Sequence, residues 1–372
     1  MRVRSLTAGI GPGEIFTKGT FQEISMVLHR DREILERAGV EVQTLRVSTD
    51  LWRSVQGDGL LSLVLDLEDL AGMNGIDFVS VGPCRDPQQI GMVPEMIEKS
   101  SRTCCSAVVA TGEGVLPENS LAAARAVRDI SRIARDGSKN FMFASIACCP
   151  QDIPFFPAAY HSRGPPSITA ALENGDLVMR SSERASSLNE SGKMLTHLLQ
   201  NDSEHIIREL EGTPHFKGID LSLAPALEPA CSIALAVENM IGSPFGTTGT
   251  LSACSELTRA IDNVEAPRCG YSGLMLPVLE DEGLGRGADK GSYGVQNLLL
   301  YSSVCGTGLD AVPVPGSTPV PKLASAILDM SSLSHKWRKP LSARLLPIPD
   351  RSVGEMTDLN SPYLRDCSVL EI

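Results

Sequence analysis

Histidine, aspartate and arginine fall together in one stretch of the chain, Gln151 to Gly164, where Asp152, Tyr160, His161 and Arg163 share a loop stiffened by Pro154 and Pro157. An imidazole beside a carboxylate can act as a general base with its orienting group, and a neighbouring guanidinium can hold a carboxylate or phosphate. The competing reading makes His161 an anchor for the loop backbone, with Phe155 and Phe156 capping the core. The remaining histidines lack such company and are read as structural. A second candidate is Gly246, Thr247 and Thr248, just ahead of a helix expected from about Leu251, where small residues expose N–H groups and hydroxyls to an anion. A third is the run Glu280, Asp281, Glu282 at the end of an expected strand. These carboxylates could hold Mg²⁺ or Ca²⁺ or exchange protons with a substrate, or simply complement the first turn of a helix. Among the thiols, Cys105 and Cys305 are candidate nucleophiles if a base lies near in space, although buried cysteine more often only packs.

Positioning these groups requires a scaffold, and the sequence reads as alternating strands and amphipathic helices with Gly, Pro, Asn or Asp at most junctions. Strands are expected at Arg2 to Ala8, Glu41 to Val47, Ile76 to Val81, Cys104 to Ala110 and Phe141 to Ala147. Five more are expected around Leu177 to Arg180, and at Gly218 to Leu223, Tyr271 to Val278, Leu309 to Val314 and Ala343 to Pro347. Between the two groups, the prolines from Pro150 to Pro166 exclude regular helix and central strand, marking a functional loop or a boundary. The chain is thus α/β in two similar halves, about 1–150 and 166–350. Helices are expected at Glu118 to Arg135, whose Arg125, Arg128 and Arg132 share a face, and at Ser191 to Leu210. The arginine row is a solvated face or, less readily, an anion-binding surface.

Of 372 residues, 42% are hydrophobic and 21% charged, values of a folding globular chain that exclude a mainly disordered protein. A net charge of -12 opposes a nucleic-acid partner, and an aromatic content of 4% weakens any reading based on base stacking. No stretch is apolar enough to cross a bilayer, and the amino terminus has the alternation of a strand rather than the apolar run of an export signal. With ten cysteines and no export signal, reduced thiols and a cytoplasmic location are expected, and the spacing of a zinc ribbon is absent.

At these residues the chain resembles the family of uncharacterised proteins known as domain of unknown function 711. The likeness is carried by Arg4 with Gly9 and Ile10, Arg46 Val47 Ser48, Gly75 Ile76 Asp77 Phe78, Cys105 with Ser106, and Pro154 Phe155 with His161. It continues through Asp220 Leu221 Ser222 Leu223 Ala224 Pro225, Gly246 Thr247 Thr248, Pro277 with Glu280 Asp281 Glu282 Gly283, and Cys305 with Gly308 Leu309 Asp310. The resemblance implies a pyruvate formate-lyase-like fold, a ten-stranded barrel of two five-stranded parallel halves surrounded by helices, formed as a single domain. It implies no reaction. The chain looks shorter than most members, and Phe245 stands where the family usually has a histidine before Gly-Thr-Thr. A glycyl-radical reading fits poorly, since Arg268 lies one residue too close to Gly270 and about a hundred residues follow.

The reading that results is an enzyme, a lyase or transferase, acting on a small carboxylate- or phosphate-bearing metabolite in a barrel interior by acid/base or thiol chemistry. His161 and Glu282 would move protons, and Cys105 or Cys305 would be the nucleophile. Arg46, Ser48, Arg163 and the Gly246 Thr247 Thr248 turn would bind substrate, and Glu280 and Asp281 would hold a divalent cation. The alternatives are a non-catalytic metabolite-binding regulator and an interaction scaffold. No membrane partner is expected, and a homo-oligomer is left open.

Overall fold

The computed structural model describes residues 1–17, 19–54, 59–359 and 361–372. The first half alternates as expected: β1 (Arg2–Gly9), α1 (Thr20–Arg37), β2 (Glu41–Ser48), α2 (Gly59–Met73), β3 (Phe78–Cys84), α3 (Pro87–Lys99), β4 (Thr103–Ala110), α4 (Pro117–Ile130) and β5 (Phe143–Ala147). The second half contributes β6 (Ser167–Glu173), α5 (Gly175–Arg184), α6 (Leu188–Glu209), β7 (Phe216–Asp220), α7 (Ile233–Ile241), α8 (Thr250–Asp262), α9 (Glu282–Asp289), α10 (Val295–Ser302), β8 (Gly308–Pro315), α11 (Val320–Trp337) and β9 (Leu341–Ile348). The result is a mixed α/β fold with nine strands in one sheet and eleven helices among the described residues. No described helix is long and apolar enough to cross a membrane.

The sheet runs in the order β7-β6-β1-β2-β3-β4-β5-β9-β8. Strands β1 to β5 are mutually parallel; β6 joins the β1 edge antiparallel, and β9 joins the β5 edge antiparallel. Each antiparallel newcomer then carries a parallel neighbour, β7 on β6 and β8 on β9. The helices justify themselves locally. In α1, Phe21, Ile24, Leu28 and Leu35 are buried at helical spacing, and α3 starts with Pro87 in its first turn while the Asp86 carboxylate accepts from the Gln89 N–H at 2.9 Å.

Two elements of the second half depart from the sequence expectation. The stretch Leu177 to Arg180 is helical, inside α5, and the strand lies ten residues earlier at Ser167 to Glu173. That strand is rich in alanine, which has little intrinsic β preference, and it forms because β1 and β7 pair with it on either side. Tyr271 to Val278 is not a regular strand. Gly270 at φ +67° and Pro277 break it, and the stretch from Arg268 to Pro277 makes only isolated bridges, Arg268 to Ile219, Leu274 to Leu223 and Pro277 to Asp310. The nine-stranded sheet is therefore not closed by regular pairing, although this one segment bridges to Ile219 near the end of β7 and to Asp310 early in β8.

Strand periodicity sorts the side chains into two cores. One face packs Leu45, Val47, Val79, Val81, Cys105, Ala107 and Leu345 into the large core beneath the helices. The other face encloses a smaller cluster of Ala144, Ile146, Ala171, Ala224, Tyr271 and Met275 with Ile153, Phe155 and Ala158. The last three come from the proline-rich stretch, which enters the interior instead of forming a boundary. The Asp152 N–H donates to the Tyr160 carbonyl at 2.9 Å and closes the loop. Hydroxyls of the surrounding strands then hold it: Ser5 and Thr7 donate to the Pro154 carbonyl at 3.0 and 3.2 Å, and Ser80 donates to the Ala159 carbonyl at 2.6 Å. Small polar residues on the inner face thus supply the partners that an invading backbone needs.

Candidate functional site

An interior cavity lies between the inner face and this loop, with about 800 Å³ of space including its mouth. Alternate residues of the strands reach it: Arg46 from β2, Phe78 from β3, Cys104 from β4, Ala144 from β5, Asp310 from β8, and Ser342 and Arg344 from β9. Phe155, Phe156, Pro157 and Ala158 of the loop form one wall, and Tyr271, Met275, Pro277 and Glu280 form another. The mixed apolar and charged lining is that of a small-molecule site.

Most of its charges are mutually satisfied. Arg344, only 7% exposed, donates to Glu280 at 2.5 Å and to Asp310 at 2.7 Å, and it lies over the Phe141 ring at 4.2 Å. Arg4 bonds the other oxygen of Glu280 and reaches Glu173 at 3.0 Å. Burial and the neighbouring Glu280 push the Asp310 carboxyl above the usual carboxylate range, against the lowering influence of Arg344. Burial also pushes the Cys104 thiol up to about 12, so at neutral pH it is a protonated thiol and a poor nucleophile.

Arg46 is different. Its Nε donates to Thr44 Oγ1 at 2.9 Å, and its guanidinium lies 5.2 Å from the Phe156 ring centroid and 5.7 Å from that of Phe78. Among the described residues it forms no ion pair. Desolvation, reinforced by the like charge of Arg4, lowers its pKa to about 10. The half-buried guanidinium thus lies between two aromatic rings with no ion pair among the described residues, a geometry that can accept an anion. The cavity wall carries three arginines, Arg4, Arg46 and Arg344, against two carboxylates, Glu280 and Asp310, and the surplus positive charge is that of Arg46.

Of the residues singled out from the sequence, Arg46 and Glu280 line this cavity; the others lie elsewhere. Cys105 faces the helices, with its sulfur 3.8 Å from Cys84 Sγ, while its neighbour Cys104 points inward, because adjacent strand residues project to opposite faces. Cys305 is buried in the large outer core. His161 is 1% exposed: its Nδ1 is 2.7 Å from Asp152 Oδ1, its Nε2 is 3.4 Å from the Gly164 carbonyl, and Ser167 Oγ donates to the same Asp152 oxygen at 2.6 Å. Burial raises the Asp152 carboxyl, but the bonds from His161 and Ser167 outweigh it and hold the group below its usual range. This cluster packs against β1 at Gly9, where an added Cβ would lie 2.7 Å from His161 Nδ1. It anchors the root of the interior loop.

Glu280 and Asp281 do not converge on one ion. Asp281 points the other way, accepting from Ser232 Oγ at 2.6 Å and from the N–H groups of Ile233 and Leu284 at 2.7 and 3.0 Å, so it caps α7 and α9. Glu282 pairs with Arg286 and Arg365. Thr247 donates to the Pro244 carbonyl at 2.7 Å and the Gly246 N–H to Thr250 Oγ1 at 3.1 Å, a turn that leads into α8 and does not line the cavity. The Ser48 hydroxyl is buried at the end of β2 without a hydrogen-bond partner among the described residues. Arg163 is exposed outside the interior loop. Among the described residues, no group of three or more His, Cys, Asp or Glu side chains is arranged to hold a metal ion. Cavity residues that the sequence reading did not propose for the site are Cys104, Tyr271, Asp310 and Arg344, although Asp310 lies in one of the runs that carry the family resemblance. The signal for Arg344 is a lone arginine inside the apolar strand Leu341 to Ile348.

Fold and site together define an α/β protein with an arginine-bearing cavity between the inner face of its sheet and the proline-rich loop. The family described as Uncharacterised ACR (DUF711) matches residues 3–360, and the chain belongs to it. Among similar proteins are a UPF0210 protein of Pyrobaculum islandicum, 29% identical over 362 residues covering 89% of this chain and 79% of the relative. A UPF0210 protein of Pelobacter propionicus is 28% identical over 362 residues, covering 88% and 78%. A third, from Methanosarcina acetivorans, is 24% identical over 401 residues, covering 96% and 85%.

Proposed function

We propose that this protein binds a small carboxylate with an apolar body in the interior cavity, and that Arg46 is its anchor. The observation that carries this reading is the Arg46 guanidinium, desolvated between Phe78 and Phe156 and without a carboxylate partner among the described residues. Arg46 is half-buried, and a partly desolvated guanidinium without a counter-charge is held at a cost in free energy. A ligand carboxylate supplies the missing partner, and the two aromatic rings suit an apolar body beside it. Asp310, whose carboxyl burial raises, is a cavity-wall carboxyl that would exchange a proton with the bound molecule if it reacts. Nucleophilic catalysis by Cys104 is disfavoured by its protonated thiol.

The same reading takes the sheet as a barrel of the pyruvate formate-lyase kind, forming a single domain. The support is the segment 268–277, which bridges to both β7 and β8 where a tenth strand would stand, and the second core enclosed on the inner face. A regulator that binds without turnover is the alternative, favoured by the closed network in which Arg344 occupies both Glu280 and Asp310. Calorimetric titration with benzoate and acetate tests the binding claim. Saturable binding by the wild type, stronger for benzoate and lost in Arg46→Met, supports it. Binding that survives this substitution removes Arg46 from the account.

A further inference from the structure

Outside the interior cavity, at the carboxyl ends of β3, β4 and β5, lies an open cleft whose lining includes Arg53, Arg85, Arg163 and Arg338 and, among the described residues, no aspartate or glutamate. These arginines arrive from four separate segments: after β2, after β3, from the loop that precedes β6, and from the end of α11. In a chain with a net charge of -12, such convergence is not the average surface. Beneath the floor lies one carboxylate, Asp50, fully buried. It takes Arg85 on both oxygens at 3.0 and 2.6 Å, Arg53 at 3.3 Å and the Ser162 hydroxyl. Asp50 fixes the Arg85 guanidinium, leaving a surplus of about three positive charges over the cleft as a whole. Arg338 has a backbone φ of +54° and bonds the Gly112 carbonyl, so its guanidinium is held at the rim. Arg163 forms no ion pair among the described residues, and its loop is held by Gln151, which accepts from the Ser162 and Arg163 N–H groups at 3.3 Å.

We propose that this cleft is a second anion site, distinct from the interior cavity, that takes a phosphate-bearing small molecule. Several planar guanidinium groups converging from different directions suit the multiple oxygens and charges of phosphate better than a single carboxylate. The position agrees with the general tendency of ligands to sit outside the carboxyl ends of parallel strands. The two sites share a wall: Cys149 lines the cleft, and its sulfur is 3.8 Å from the hydroxyl of Tyr271, which lines the cavity.

The test is calorimetric titration of the full chain with inorganic diphosphate and inorganic phosphate at low ionic strength. Saturable one-to-one binding is expected, tighter for diphosphate and weakened by added salt. The double variant Arg163→Gln with Arg338→Gln should bind about tenfold more weakly, since two exposed charge pairs together contribute on that scale. Arg125→Gln with Arg128→Gln, on the helix α4, should bind as the wild type does. Absence of binding by either probe at millimolar concentration overturns the proposal. So does an unchanged affinity in the cleft variant, or an equal loss in the α4 variant, which would make the attraction a diffuse field. Arg46→Met should leave diphosphate binding intact, so failure of the interior carboxylate site and failure of the cleft are read separately.

Discussion

Replacing Arg46 with methionine should stabilise the unliganded protein while abolishing carboxylate binding. The guanidinium pKa falls from 12.5 to about 10, which corresponds to roughly 3 kcal/mol against the charged form in the folded state. Two contacts offset this. The bond from Nε to Thr44 contributes about 1 kcal/mol, and the faces of Phe78 and Phe156 together contribute about 1 kcal/mol more. Thr44 is not orphaned by the change, because its hydroxyl also donates to the Arg4 carbonyl at 2.8 Å. Methionine keeps an unbranched chain of similar reach, and its sulfur packs well against aromatic rings. The balance is a gain of about 1 kcal/mol, read as a rise of a few degrees in Tm or a higher denaturant midpoint with an unchanged slope. A residue that costs stability where it stands is the mark of a functional position. If Arg46→Met instead loses more than about 1 kcal/mol, the desolvation argument fails and Arg46 is a structural residue.

Three further outcomes follow from the same geometry. Arg344→Met leaves Glu280 and Asp310 buried without their shared cation and should cost about 3–5 kcal/mol at neutral pH by chemical denaturation. Because the Asp310 carboxyl is already raised and loses its lowering partner, that loss should shrink on acidification, as the folded state takes up the proton first; a loss independent of pH would contradict the assigned network. Asp152→Asn should destabilise by about 2 kcal/mol at neutral pH through its bonds with His161 and Ser167. The Asp152 carboxyl is depressed in the folded state, so its contribution is complete above the ordinary aspartate range and is lost as pH falls through the folded-state value. Wild type and variant should therefore converge in strong acid, and a constant gap would count against the pairing. Cys104, held as a thiol with a pKa of about 12, and Cys105, fully buried, should resist iodoacetamide in the native state. Rapid labelling of either, located by peptide mapping, would contradict their placement.

The first half of the fold was legible because its strands are β-branched runs bounded by turn residues, so β1 to β5 stand close to where the sequence puts them. The second half was harder, since pairing with β1 and β7 makes a strand of the stretch at Ser167, while the short apolar run Leu177 to Met179, expected as a weak strand, is helical. For the site, residue type was a better guide than proximity in sequence. Arg46, expected as an anion contact, does line the cavity, yet Cys104 lines it in place of Cys105 because a strand reverses facing at every residue. Glu280 and Asp281 are neighbours whose carboxylates serve different ends, one the interior arginines and the other the starts of α7 and α9. The Asp310, Arg344 and Glu280 network joins residues far apart in the chain, and local spacing carries no record of that contact.

The most direct measurement is a crystal structure with 4-bromobenzoate, the bromine located by anomalous scattering. The carboxylate should lie on the Arg46 guanidinium, with the ring beside Phe78 and Phe156. A ligand bound elsewhere, with Arg46 turned onto a carboxylate of the protein itself, would contradict it.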